Sequence, residues 1–182
     1  MDSTSRVAIL GGNRIPFVRS NTAYKNASNL EMLTSSITGL VKRFDLEGER
    51  LGEVAAGAVM KHAKDFNLAR EATLSSKLSP RTPAYDVQQA CGTGLEAAIL
   101  VANKIALGQI DCAIAGGTDT ASDVPIGVNE GYRQMLLDLN RAKTLGQRLK
   151  ILTRFRPSFI LPEITANVEP RTGLSMGQHC EI

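Results

Sequence analysis

Tryptophan is absent, and aromatic residues make up only 4% of the 182 positions. The core must therefore be built from small and aliphatic side chains, and the 16 glycines let such elements approach closely. No apolar run nears the ~18 residues that span a bilayer. The opening Met1-Asp2-Ser3-Thr4-Ser5-Arg6 leads straight into Val7-Ala8-Ile9-Leu10, too short a run for a signal-peptide core. Neither sign of charge dominates: 21 Lys+Arg against 18 Asp+Glu leave a net +3, which argues against a nucleic-acid partner. Cysteine is scarce, with Cys91, Cys112 and Cys180 far apart and odd in number. That spacing excludes a metal knuckle and a disulfide framework and suits a reduced, cytoplasmic setting. What remains, 43% hydrophobic and 21% charged, is the balance of a globular domain.

Strand-like and helix-like segments alternate. Val7 to Leu10, closed by Gly11-Gly12, reads as a first strand. Leu30, Leu33, Ile37, Leu40 and Val41 recur at helical spacing over Asn29 to Phe44, with Ser28 or Asn29 as cap. Val54 to Met60 reads as a buried second strand and Leu68 to Leu78 as a helix stopped at Ser79-Pro80. Ala84 to Ala90 reads as a third strand, followed by a sharp turn at Cys91-Gly92-Thr93-Gly94. Leu95 to Leu107 is apolar almost all round, which predicts a buried helix ending at Gly108. Cys112 to Ala115 reads as a fourth strand, with Cys112 inert in the core. Alternation of this kind predicts an α/β layered fold with partly parallel pairing.

From about Ala121 the character changes. Arg133 to Arg156 holds seven Lys or Arg and one acid, Asp138, and Pro157 to Pro170 reads as irregular. This divides the chain into a core over 1–120 and an insertion over 121–182. The basic stretch has three readings: a solvated amphipathic helix, a surface for coenzyme A phosphates or an acidic partner, or, least favoured, a membrane-surface contact.

Cys91 is the candidate nucleophile. It stands where a strand becomes a helix, so its thiol meets the positive end of the helix dipole and free backbone N–H groups, which favour thiolate. The N–H groups of Cys91 and Gly92 can also stabilise an oxyanion on an attacked thioester. A buried structural cysteine is the alternative on these grounds. A rival motif overlaps: Gly92-Thr93-Gly94-Leu95-Glu96-Ala97 fits the G-x-G-x-x-A dinucleotide fingerprint. That fingerprint belongs after a first strand, with an acid ending the next one. Here the strand is the third, Asp111 comes too early and Asp119 too late.

Several segments, in order, resemble the thiolase family: Asn13-Arg14-Ile15-Pro16, Gly57-Ala58-Val59, Asn67-Leu68-Ala69-Arg70, Gln89 to Ala97, Ala115 to Ser122, and Gly173-Leu174-Ser175-Met176-Gly177. Asp123-Val124-Pro125-Ile126 and the basic insert look most like the fatty-acid-oxidation branch with its trifunctional-type 3-ketoacyl-CoA thiolases. The resemblance implies a layered αβαβα fold, present here as its first half with part of an inserted loop domain. It implies acyl transfer between coenzyme A thioesters through an acyl-cysteine at Cys91. No bound cofactor is implied; acyl-CoA and coenzyme A are substrates, and the full-length enzyme is implied to be a homodimer or homotetramer. Met176 matches a substrate-side methionine, and Ser175 stands where many members have histidine. Thr93 replaces a common Ser and Gly92 a usual Ala. The family's Gly-His-Pro base and Cys-x-Gly segments do not occur in this sequence, whose two histidines, His62 and His179, read as surface or packing residues. The chain by itself is therefore expected to be inactive, and an acyl-CoA-binding or scaffolding protein without turnover is the alternative function.

Overall fold

The computed structural model describes residues 6–164, 166 and 168–182. The opening Met1 to Ser5 lies outside them, as do Thr165 and Asn167 of the stretch read as irregular. The chain divides into two compact units between Val124 and Pro125.

The first unit runs α1 (Asn29–Arg43), β1 (Glu53–Gly57), α2 (Leu68–Ser75), β2 (Ala84–Asp86), α3 (Thr93–Ala106) and β3 (Ala113–Gly117). The three strands form a parallel sheet in the order β2-β1-β3. Helical connections allow this, since parallel neighbours need a long crossover. Ser28, not Asn29, caps α1: its hydroxyl accepts from Glu31 N–H (3.2 Å) while the Glu31 carboxylate accepts from Ser28 N–H (2.8 Å), a reciprocal cap. Alternation along β1 points successive side chains to opposite faces. Val54, Ala56 and Ala58 meet Leu33, Ile37 and Val41 of α1 and Leu68, Ala69 and Ala72 of α2. Ala55 faces Ala97 and Val101 of α3. The result is a helix–sheet–helix sandwich whose middle strand is wholly buried.

Four readings of the sequence need correction here. Val7 to Leu10 forms no strand, and Ile9 and Leu10 are 95% and 80% exposed. A strand exists only with a partner to bond. The segment that follows instead lies along α1, where Asn13 Nδ2 donates to Ser36 O (2.8 Å) and Arg43 donates to Gly12 O (2.8 Å). The strand predicted over Ala84 to Ala90 stops at Asp86, and the backbone turns left-handed further on, at Ala90. Helix α3 is not buried all round: Ala97 and Val101 pack on the sheet, while Leu95 is 69% exposed and Ile99 and Leu107 also face outward. An apolar periphery says nothing of how many layers cover a helix. Finally, Cys112 is exposed, one residue ahead of β3. Gly108, by contrast, ends α3 as its pattern predicts, at φ 66°.

The second unit contains β4 (Ile126–Gly127), α4 (Glu130–Arg141), α5 (Leu145–Leu152), β5 (Glu163–Ile164) and α6 (Met176–Cys180). The stretch read as irregular is thus partly ordered, since Glu163 and Ile164 pair antiparallel with β4 and Pro157–Ile160 is a 3-10 turn. The basic stretch is two helices rather than one, split at Ala142 to Thr144. Arg133 and Gln134 hold the Glu130 carboxyl down to about 2, so this pair stays charged through mildly acidic pH. Asp138 faces both Arg141 (3.8 Å) and Arg154 (3.6 Å).

One charged cluster joins three elements of the first unit. The buried carboxylate of Glu53 accepts from Lys104 Nζ (2.6 Å) and from Tyr85 OH (3.1 Å), with Lys104 also over the Tyr85 ring. The bond to Glu53 raises the Lys104 ammonium above its ordinary value, and burial raises the Tyr85 phenol. A raised folded value stabilises the protonated form in both cases. The contribution is therefore complete at neutral pH and is lost as pH rises through the folded values, above the ordinary 10.0 and 10.5. Urea melts from neutral to alkaline pH should show that decline. Lys104→Met should cost about 1–2 kcal/mol at neutral pH, the lower range because Lys104 stays partly in water, and should weaken the alkaline dependence.

Candidate active site

Cys91 lies beyond the carboxyl end of β2, on the side of a parallel sheet where ligands of open α/β folds bind. The chain leaves β2 still attached to the middle strand, with Val87 N–H donating to Ala56 O (2.9 Å). It then reverses through Ala90, a non-glycine residue at φ 44°. That conformation costs a residue with a Cβ about 1–2 kcal/mol. The Thr93 hydroxyl accepts from Gln89 N–H (2.9 Å) and donates to Ala90 O (2.7 Å). Gly92 N–H closes the turn on Gln89 O (2.9 Å), so of the two backbone donors expected to serve an oxyanion, those of Cys91 and Gly92, the second is engaged within the turn. Cys91 is thereby held at the apex, exposed to solvent.

Helix α3 starts at Thr93 with Gly92 as its cap residue, and no side chain caps it. The following N–H groups, at Gly94 and Leu95, belong to the first turn, where a helix has no carbonyl of its own to offer. A Cβ on Gly94 would touch nothing within 4 Å, so the approach to this helix end is open. Gly92 is not demanded by conformation, at φ −84°; an added Cβ would stand 3.3 Å from Gln89 O, so the alanine usual in the family needs only a small shift.

Two carboxylates organise the neighbouring strand ends. Asp86 accepts from Ala69 N–H (2.7 Å) and Leu68 N–H (3.3 Å), and from Lys61 Nζ (2.6 Å). It thus caps α2 from across the sheet, in place of Asn67. Asp119 accepts from Val59 N–H (2.8 Å) and Met60 N–H (2.9 Å). Sequence reasoning assigned neither role, and it missed the Thr93 bridge. The acid at each strand end was the available signal. His62 is half-buried and bonds Asp123 through its backbone oxygen (3.2 Å) and carboxylate (3.1 Å).

The other candidate residues, Ser175 and Met176, belong to the second unit. Ser175 caps α6: its hydroxyl accepts from Gln178 N–H (3.3 Å) and its own N–H donates to Gln178 Oε1 (2.8 Å). Met176 opens that helix and is 73% exposed. His179 sits against Glu169 (3.1 Å) and Thr172 (2.9 Å), and α6 ends at Cys180. Among the described residues no group of His, Cys, Asp and Glu has the arrangement of a metal site.

The family pattern for the thiolase N-terminal domain matches residues 7–159. The chain belongs to the thiolase family. It is 38% identical over 175 residues to the mitochondrial trifunctional enzyme subunit beta of Mus musculus, covering 96% of this chain and 37% of that protein. It is 39% identical over 176 residues to the 3-ketoacyl-CoA thiolase of Photorhabdus laumondii, covering 97% of this chain and 40% of that one. The chain thus spans well under half the length of these relatives. Among solved structures, the acetyl-CoA acetyltransferase of Bacillus anthracis superposes with a TM-score of 0.57 at 27% identity, over 60% of this chain and 28% of that one. The thiolase α/β fold is present here as a fragment.

The thiolase turn depends on close approach at the end of β1. A Cβ on Gly57 would collide with the Val87 carbonyl and stand 3.0 Å from the Thr93 methyl. Gly57→Ala should therefore lower stability by about 1–3 kcal/mol and displace the Cys91 turn. Denaturant melts and the rate of Cys91 alkylation check both effects.

Proposed function

We propose that this chain carries the acyl-accepting half of a thiolase reaction, with Cys91 as nucleophile. The observation that carries the reading is the exposed thiol on a tied, left-handed turn at an uncapped helix N-terminus. The Cys91 thiolate attacks the thioester carbonyl of an acyl-CoA, and the oxyanion that forms lies beside the free N–H groups of the first turn. Collapse breaks the carbon–sulfur bond to coenzyme A, which leaves as thiolate and takes up a proton, and the acyl group stays on Cys91. In the 3-ketoacyl direction the thiolate instead attacks the 3-keto carbonyl, the C2–C3 bond breaks to release acetyl-CoA, whose α-carbon takes up a proton, and the acyl group on Cys91 then passes to coenzyme A; in condensation the acetyl group on Cys91 passes to the α-carbanion of a second acetyl-CoA and the Cys91 thiolate is released.

Exposure does not single out Cys91, since all three cysteines are exposed; the helix terminus does. Incubation with acetyl-CoA, digestion and mass mapping should place the acetyl group on Cys91. Label on Cys112 or Cys180 with Cys91 unmodified would overturn the assignment. Cys91→Ser should abolish the label with little change in melting temperature.

A second reading is acyl-CoA binding without turnover. Both readings need a place for coenzyme A phosphates, and we assign it to the basic helices. Arg148 and Lys150 lie on α5, while Asp138 faces Arg141 and Arg154. Reversing Arg148 and Lys150 to Glu should weaken coenzyme A binding and flatten its dependence on salt, as read by calorimetry at two ionic strengths. Unchanged affinity at both would leave α5 a solvated helix only.

A further inference from the structure

Thr93 has a hydroxyl that does more than begin a helix. The residue is 5% exposed, so its polar atom needs partners in the fold. It finds them on both residues that precede Cys91: Gln89 N–H at 2.9 Å and Ala90 O at 2.7 Å. The second partner is the carbonyl of the residue at φ 44°, which also accepts from Thr93 N–H (3.2 Å). One side chain thus fixes both ends of the peptide that aims the thiol. The Thr93 methyl lies against the Gly57 position, which orients the side chain from below.

We propose, resting on the acyl-cysteine reading above, that Thr93 is the positioning residue of the Cys91 turn: its hydroxyl bridge holds Ala90 left-handed and so keeps the thiol at the mouth of α3. A helix cap would need only an oxygen accepting from the helix. Here the hydroxyl accepts from the strand side and donates back to the turn, so what it stabilises is the nucleophile's approach rather than the helix.

The test reads the thiol without requiring acyl transfer. Iodoacetamide alkylation of the 182-residue protein is followed peptide by peptide, from about pH 6 to pH 10 so as to bracket an ordinary thiol. The proteins are wild type, Thr93→Val, Thr93→Ala and Thr93→Ser. Loss of the bridge should slow Cys91 by about fivefold or more, the rate equivalent of one hydrogen bond, and should shift the midpoint of its pH profile. Cys112 and Cys180 should keep their rates, which reports an intact fold. Thr93→Ser, which keeps the hydroxyl, should restore Cys91. Should Thr93→Val not fold, Thr93→Ala, with no methyl in place of the hydroxyl, carries the same expectation. An unchanged Cys91 rate and midpoint without the hydroxyl, or a Ser variant as impaired as Val, overturns the proposal. Failure of wild-type Cys91 to take an acetyl group from acetyl-CoA would instead overturn the acyl-transfer reading and leave the alkylation result standing.

Discussion

The absence of a side chain at Gly57 is the constraint from which the Cys91 turn follows. At the carboxyl end of β1 the chain from β2 crosses so near that a Cβ would strike the Val87 carbonyl. The other neighbour is close too, because a Cβ on Gly117 of β3 would stand 2.9 Å from Gly57 O. The strand beneath is glutamate, valine, two alanines and glycine, all buried. Small residues draw the helices of both faces toward the sheet, and packing at that density leaves little room for adjustment. Val87 can then bond Ala56, which brings Ala90 to the point where the chain must reverse.

That reversal is where energy is stored and held. A left-handed alanine is unfavourable on its own, and it persists only where its surroundings over-determine it. The Ala90 carbonyl accepts two hydrogen bonds, from the Thr93 backbone and hydroxyl, each worth about 1 kcal/mol net. Their sum is of the same size as the strain. The turn is therefore held by local bonds rather than by the hydrophobic core, and a change of one atom at Thr93 acts on the thiol more than on global stability.

Local signals read well in this sequence and partner choices did not. Ser28 with Glu31 announces the start of α1, Gly108 the end of α3, and the sheet-facing pattern of Val54 and Ala56 announces a buried strand, because each is decided within a few residues. Val7 to Leu10 has the same kind of strand pattern, yet it pairs with nothing among the described residues. Its apolarity specifies burial but no register or neighbour. The outward face of α3 failed for a related reason: Leu95 and Ile99 are as apolar as Ala97 and Val101, and only tertiary contacts distinguish them. The strand-to-helix turn that holds Cys91 was legible because Gly92 and Gly94 mark it. Thr93 was not, since a threonine at a helix start reads as a cap whichever way its hydroxyl points.

The same distinction disposes of the dinucleotide fingerprint that overlaps the site. A ribose-binding acid must offer its carboxylate to a ligand. Asp119, the acid that follows the next strand, has one oxygen on Val59 N–H and the other on Met60 N–H. Asp86 is likewise engaged by α2 and by Lys61. Both carboxylates are thus satisfied inside the fold, and each ties the loop after β1 to a different strand end. The acids at these strand ends therefore fix the loop after β1 rather than present a carboxylate to a ribose.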